Sequence, residues 1–233
     1  MFTDSAAIYD AVHSSFDFAA AADQVDALIA CHKQTLGTKL LDVACGTGAY
    51  LEHLRNRYAV EGVDLSPAML AIARRKLSDV QLHEADMVNF DLGWRFDVVV
   101  CLGSSIGYAK TVPCLRHTLA TLARHALPGA VVIVEPWFPP ETWEDGRLTA
   151  DLINESELKV ARVLVSGRVG QVSTLDIHHL VARPRGVEYF VEHHELGLFT
   201  QDEYLMAFHE AGLDVTHHAE GLLGRGVYVG VRP

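Results

Sequence analysis

LLDVACGTGAY, residues 40–50, holds an apolar strand (Leu40, Leu41, Val43), a carboxylate at Asp42 and a turn through Gly46 and Gly48, with a helix starting at Ala49. A buried strand that feeds a helix through a glycine-rich turn is a cradle for a nucleotide cofactor, because glycine lets backbone and ligand approach closely. A dinucleotide site would read GxGxxG, its third glycine serving close helix-to-strand packing. Here Leu51 stands in that place.

Working outward, Ala59–Asp64 (AVEGVD) is a second apolar strand ending in a carboxylate, and Asp64 is suited to accept both hydroxyls of a ribose. Ser66 and Pro67 start the next helix, whose buried stripe contains Met69. A short strand ends before Asp86 and Met87, where an acid can accept from an adenine amine and the following N–H can reach a ring nitrogen. Phe96–Cys101 (FDVVVC) is a near-continuous apolar run, as befits a central parallel strand, and opens on LGSSIGY. Ligands of open parallel sheets sit beyond the strand carboxyl ends, which places Ser104, Ser105 and Tyr108 beside the reacting centre. A helix from Thr111 is expected to stop at the turn Leu127-Pro128-Gly129, before a strand that ends at Glu135 and Trp137.

Before the cradle, Asp17 caps a helix from Phe18 to Cys31, and residues 1–36 are expected to lie over the sheet as a lid, with Tyr9 and Phe18 roofing the cofactor site. Packing aromatics would read the same way. From 144 to 199 the pattern changes to alternating, β-branched stretches at Leu158–Val165, Gln171–Ala182 and Gly186–Phe199, an antiparallel insertion over the same edge. Residues 37–143 and 200–233 form the core. Its last helix starts at the capping box Thr200–Glu203, and its last two strands are joined too closely to be other than a hairpin. The fold class is thus α/β, a mostly parallel Rossmann-like sheet with a C-terminal antiparallel hairpin and an antiparallel β insertion. Arg225, between two glycines, has room to present its guanidinium to an oxyanion.

The net charge of −11 argues against a nucleic-acid surface. The chain shows neither a membrane span nor a basic leader, so a cytoplasmic protein is expected. Its four cysteines, without CxxC spacing, read as reduced, buried thiols. Three pairs, His178-His179, His193-His194 and His217-His218, match no zinc spacing, and neighbours on a strand face opposite sides; no metal is expected.

DVACGTG followed by EGVDLS resembles motif I and its sequel in the class I S-adenosylmethionine-dependent methyltransferases. With SSIGY, VVIVEPW, LFT and GRG in order, the whole chain resembles the N-methyltransferases that dimethylate dTDP-linked deoxyamino sugars of the desosamine and mycaminose type, used in antibiotic biosynthesis. The resemblance implies that Ala44, Cys45, Gly46, Gly48 and Asp64 hold the methionine and ribose portions of S-adenosylmethionine and Asp86 with Met87 its adenine, with Leu65, Met69 and Leu102 beside them. It puts Tyr108 beside the sugar amine, Arg225 near the diphosphate, and Phe2, Ser104, Ser105, Glu135 and Trp137 around the substrate. The chain departs from the family pattern at Phe16-Asp17-Phe18, where a Lys-Asp-Tyr is usual, and at Phe138-Pro139 after EPW. The partners expected are a dTDP-aminosugar and a second copy of the chain in a homodimer, without nucleic acid or membrane. Two other readings stay open: a methyltransferase acting on an unrelated small amine or hydroxyl, and a non-catalytic S-adenosylmethionine-binding regulator.

Overall fold

A computed structural model describes residues 4–222 and 224–233. Phe2, expected at the substrate, lies outside the described residues. After a 3-10 turn at Ser5–Ile8 come the single turn α1 (Tyr9–Val12), α2 (Phe18–His32), β1 (Lys39–Val43), α3 (Ala49–Leu54), β2 (Ala59–Asp64), α4 (Pro67–Lys76), β3 (Gln81–Glu84), β4 (Phe96–Cys101), α5 (Val112–His125) and β5 (Ala126–Val134). The strands β6 (Leu148–Asn154), β7 (Lys159–Val169), β8 (Val172–Arg183) and β9 (Gly186–Gly197) follow, then α6 (Gln201–Glu210), β10 (Asp214–His218) and β11 (Val227–Val231).

Seven strands form one sheet in the order β10-β11-β5-β4-β1-β2-β3, in which only β11 runs against its neighbours. Side chains of β4 alternate between two cores: Val99 and Cys101 join Leu115, Leu119 and Phe208 on one face, while Val98 and Val100 join Val25, Ile29 and Leu70 on the other. Burial on both faces is what its run Val98–Cys101 requires, and the buried Asp97 before it accepts from Lys39 N at 3.0 Å. The helix starts follow the capping chemistry: Asp17 accepts from Ala20 N at 2.9 Å, Ser66 from Met69 N at 3.3 Å, and Thr200 with Glu203 completes a capping box.

Three expectations need correction. Leu127-Pro128-Gly129 is not a turn before the strand but part of β5: Ala126 already pairs with Phe96, and the register shifts between Phe96 and Val98. The irregularity accommodates a proline that has no N–H and a glycine at φ +78°, whose N–H donates to the Arg232 carbonyl at 2.7 Å. The insertion has four strands rather than three, in the order β6-β7-β8-β9. The extra one, β6, is an edge strand whose Leu148 and Leu152 face outward at 71% and 75% exposure, so its alternation does not mark a buried face. Of the cysteines, Cys45 and Cys101 are buried, but Cys114 is half-buried and Cys31 exposed. Cys31 occupies the exposed side of α2, one residue from its end.

No helix among the described residues is long and apolar enough to cross a membrane.

Candidate active site

The turn after β1 is bent into a rare backbone shape. Ala44 (φ 62°), Gly46 (φ 55°) and Gly48 (φ 78°) all adopt left-handed angles, at a cost for Ala44 of roughly 1 kcal/mol or more. Asp64 at the tip of β2 holds this bend: one carboxylate oxygen accepts from Gly46 N at 2.8 Å and the other from Ser66 N at 2.7 Å. Burial raises the Asp64 pKa, an effect opposed by those backbone donors. Asp42 lies beneath, 2% exposed, its pKa pushed up by burial and then by the Asp64 charge. Where a Cβ on Gly46 would stand, nothing lies within 4 Å. At Gly48 a Cβ would come within 2.6 Å of Leu77 Cδ1, so that glycine serves helix packing.

Two cavities meet here. The first, about 420 Å³, is lined by Asp64, Leu65, Met69, Asp86, Met87 and neighbours on the β2 and β3 side. The second, about 340 Å³, is lined by Phe18, Cys45, Tyr50, Leu102, Trp137 and Arg225 among others. Tyr9, Ala44, Gly46, Ser105 and Tyr108 line both. The N-terminal turn is tied to this junction: Asp10 accepts from Thr47 Oγ1 at 2.6 Å and from Lys76 Nζ at 2.8 Å. Burial, with the Asp10 charge next, pushes the Tyr9 pKa up to about 12.

Gly48, Ser104 and Glu135 line neither cavity; the last two form the support beneath the second. Ser104, at φ 59°, donates to the Pro136 carbonyl at 2.7 Å and accepts from Arg225 Nη2 at 2.9 Å. Glu135 is fully buried and accepts from Gly103 N at 2.7 Å. Burial raises its pKa, and the Arg225 charge opposes the rise. The Arg225 guanidinium lies 5.0 Å from the Phe138 ring centroid and 5.6 Å from that of Trp137. Its Nε is buried without a hydrogen-bond partner among the described residues.

Sequence reasoning missed the floor of the second cavity. Arg162 and Leu164 of β7, Leu175 and Ile177 of β8, and His194 and Leu196 of β9 all point into it. The period of two along each strand is the signal that groups them, once it is known which face is covered. His194 is the inward member of its pair. Its ring Nδ1 lies 2.8 Å from Tyr108 Oη. Burial raises the Tyr108 pKa strongly, keeping the phenol neutral. Among the described residues no three His, Cys, Asp or Glu side chains stand close enough together to hold a metal ion.

The residues fit S-adenosylmethionine. A bent glycine turn, carboxylates at the ends of β2 and β3, and open space over Gly46 supply what the adenosine and methionine portions require. Residues 40–129 match a methyltransferase domain model. Together with the sheet order, this defines a class I S-adenosylmethionine-dependent methyltransferase.

The chain is 41% identical, over 98% of its length and 93% of the relative's, to the dTDP-4-amino-2,3,4,6-tetradeoxy-D-glucose N,N-dimethyltransferase of Saccharopolyspora spinosa. It is 42% identical, over 98% of both, to the dTDP-3-amino-3,4,6-trideoxy-alpha-D-glucopyranose N,N-dimethyltransferase of Streptomyces venezuelae. The solved structure of S-adenosylmethionine-bound CalS10, an amino pentose methyltransferase from Micromonospora echinaspora, superposes with a TM-score of 0.86 at 38% identity, covering 100% of this chain and 98% of that one. The chain belongs to the S-adenosylmethionine-dependent N,N-dimethyltransferases of dTDP-linked amino sugars.

Proposed function

We propose that this enzyme dimethylates the amino group of a dTDP-linked deoxyamino sugar, with the adenosine portion of the cofactor in the first cavity, its methionine portion at the junction where the turn after β1 lines both, and the sugar in the rest of the second. The observation that carries the reading is the shared wall: Tyr108 and Ser105 line both cavities, so an amine beside Tyr108 faces the cofactor side. S-adenosylmethionine supplies an electrophilic methyl group on a sulfonium. The protein's task is then to hold a neutral amine in line with it, and well-aligned reactants can gain ~7 kcal/mol without a catalytic side chain.

In this reading Asp64 accepts from the ribose hydroxyls, and Asp86 with Met87 binds the adenine. Ala44 to Gly46 and Leu102 hold the methionine portion beneath Tyr9 and Phe18, residues of the N-terminal lid. Tyr108 orients the amine. Ser105 and Trp137 border the sugar, while Ser104 and Glu135 set the backbone and Arg225 behind it. Arg225 meets the diphosphate with a guanidinium already held near two aromatic rings. The enzyme works in the cytoplasm. A homodimer would form through the outer face of β6–β9, where Leu148, Leu152, Val163, Leu180, Val187 and Tyr189 are exposed on one surface. Sedimentation velocity of wild type against Leu152→Lys tests that pairing.

The deciding experiment is turnover of dTDP-linked aminosugars bearing the amine at C3 and at C4, read by mass. Successive gain of one and then two methyl groups on either supports the reading. Methylation of only the corresponding hydroxy sugars, or of neither class, overturns it.

A further inference from the structure

Beyond the shared wall, Tyr108 is the first member of a buried polar chain. Its Oη meets His194 Nδ1 at 2.8 Å, and His194 Nε2 faces Glu192 Oε2 at 3.4 Å. Glu192 is held in turn by Ser5, which donates from N at 3.1 Å and from Oγ at 2.5 Å. His194 is 1% exposed and Glu192 5%. A carboxylate at Nε2 places the ring proton on that nitrogen and leaves Nδ1 as the acceptor of the tyrosine O–H. The chain therefore has a direction: phenol donates to imidazole, and imidazole donates to carboxylate.

We propose that Tyr108, His194 and Glu192 form a proton relay that clears the sugar nitrogen between the two methyl transfers, His194 and Glu192 acting through Tyr108 as positioning residues. The inference rests on the aminosugar reading. The amine lone pair makes the new N–C bond as the methyl carbon leaves sulfur, whose bonding pair stays on sulfur. The nitrogen is then an ammonium, and a second transfer needs its lone pair again. One N–H proton passes to Tyr108 Oη while the Tyr108 proton passes to His194 Nδ1, so tyrosine ends neutral as it began. Glu192 balances the imidazolium that results, and the ring returns its proton to water once product leaves. A phenol whose ionised form is disfavoured by burial suits a conduit better than a base.

The charged and titratable groups facing this ring come from several elements. Glu192 lies on its own strand, His179 on β8 and Arg162 on β7, the last paired with Asp151 at 2.7 Å. Tyr108 approaches from the loop after β4, with Tyr9 and His13 of the N-terminal segment on the same cavity and Asp64 acting on Tyr108 across it.

The test compares wild type, His194→Gln and Glu192→Gln, each checked for unchanged thermal unfolding. Glutamine at 194 still accepts the Tyr108 hydrogen bond but takes no proton. At neutral pH, His194→Gln is expected to slow the second transfer by roughly tenfold with KM little changed, and to recover at alkaline pH, where solvent supplies neutral amine. Nitrogen NMR of histidine-labelled wild type, with S-adenosylhomocysteine and the monomethylated sugar bound, is expected to show one ring becoming imidazolium, a signal absent from His194→Gln. Should His194→Gln fail to fold, Glu192→Gln carries the comparison, with the same kinetic expectation. Wild-type rates in both variants, or an equal loss at every pH without the imidazolium signal, would overturn the relay alone. Absence of wild-type turnover on any aminosugar would instead overturn the substrate reading beneath it.

Discussion

The two cavities are built in different ways. The first takes most of its walls from residues 44–88, a run of strand tips and the turns that leave them. The second shares the β1–α3 turn, residues 42–50, and adds α1, the start of α2, the loops after β4 and β5, three strands of the small sheet and the C-terminal hairpin. In the proposed assignment, a cofactor common to many enzymes meets mostly local, nearly contiguous chemistry in the first cavity. The surface then left for a particular substrate joins that turn to distant segments. Substitutions should therefore separate the two, each cavity failing without the other.

The largest effect is expected at Asp64. Alanine there removes the acceptor of two backbone N–H groups and the carboxylate at the cavity, and should weaken S-adenosylhomocysteine by about a hundredfold, roughly 2.7 kcal/mol. Calorimetry should find dTDP affinity nearly intact; a parallel collapse of both would break the separation. Arg225→Ala should do the reverse, lowering dTDP affinity roughly thirtyfold, in keeping with about 2 kcal/mol for charge-assisted hydrogen bonds, while leaving the cofactor product bound as before. Tyr108 stands on the shared wall and so sharpens the comparison: Tyr108→Phe should cost less than ~2 kcal/mol in kcat/KM, because alignment supplies most of the rate. A thousandfold loss of turnover would mean that the phenol does more than orient and relay.

The smallest effect lies outside both cavities and serves as a control. His125 is buried, its Nδ1 donating to the Thr121 carbonyl at 2.8 Å and its Nε2 accepting from Leu92 N at 3.1 Å, so the neutral ring is the one the fold holds. Burial lowers its pKa. Its stabilisation is thus complete above the ordinary histidine pKa and is lost as pH falls through the lowered folded value. Thermal melts should show Tm falling modestly over that mildly acidic window, and the fall should shrink in His125→Gln. An identical acid profile in the variant would assign the loss to other groups.

How legible each region was in the sequence follows from the same contrast. The β1 turn, the strand ending at Asp64 and the caps at Ser66 and Thr200 depend on neighbours within a few residues, so motif and spacing carry them. The hairpin and the central position of β4 follow from loop length and a near-continuous apolar run. What failed depended on long-range packing. Pro128 reads locally as a stop, but Gly129 bonds across to Arg232, and that distant contact keeps the segment in the sheet. Leu148 and Leu152 face outward on an edge, so their spacing marks no buried side. His194 is indistinguishable from His193 by composition. Only the seating of the small sheet over the loop after β4 decides which ring meets Tyr108.

The central claim, two sites side by side for two ligands, is tested most directly by titrating dTDP into the enzyme already saturated with S-adenosylhomocysteine. dTDP is expected to bind the loaded enzyme, and Arg225→Ala to weaken this binding alone, by roughly thirtyfold. Competition between the two ligands, or no dTDP binding in either state, would contradict it.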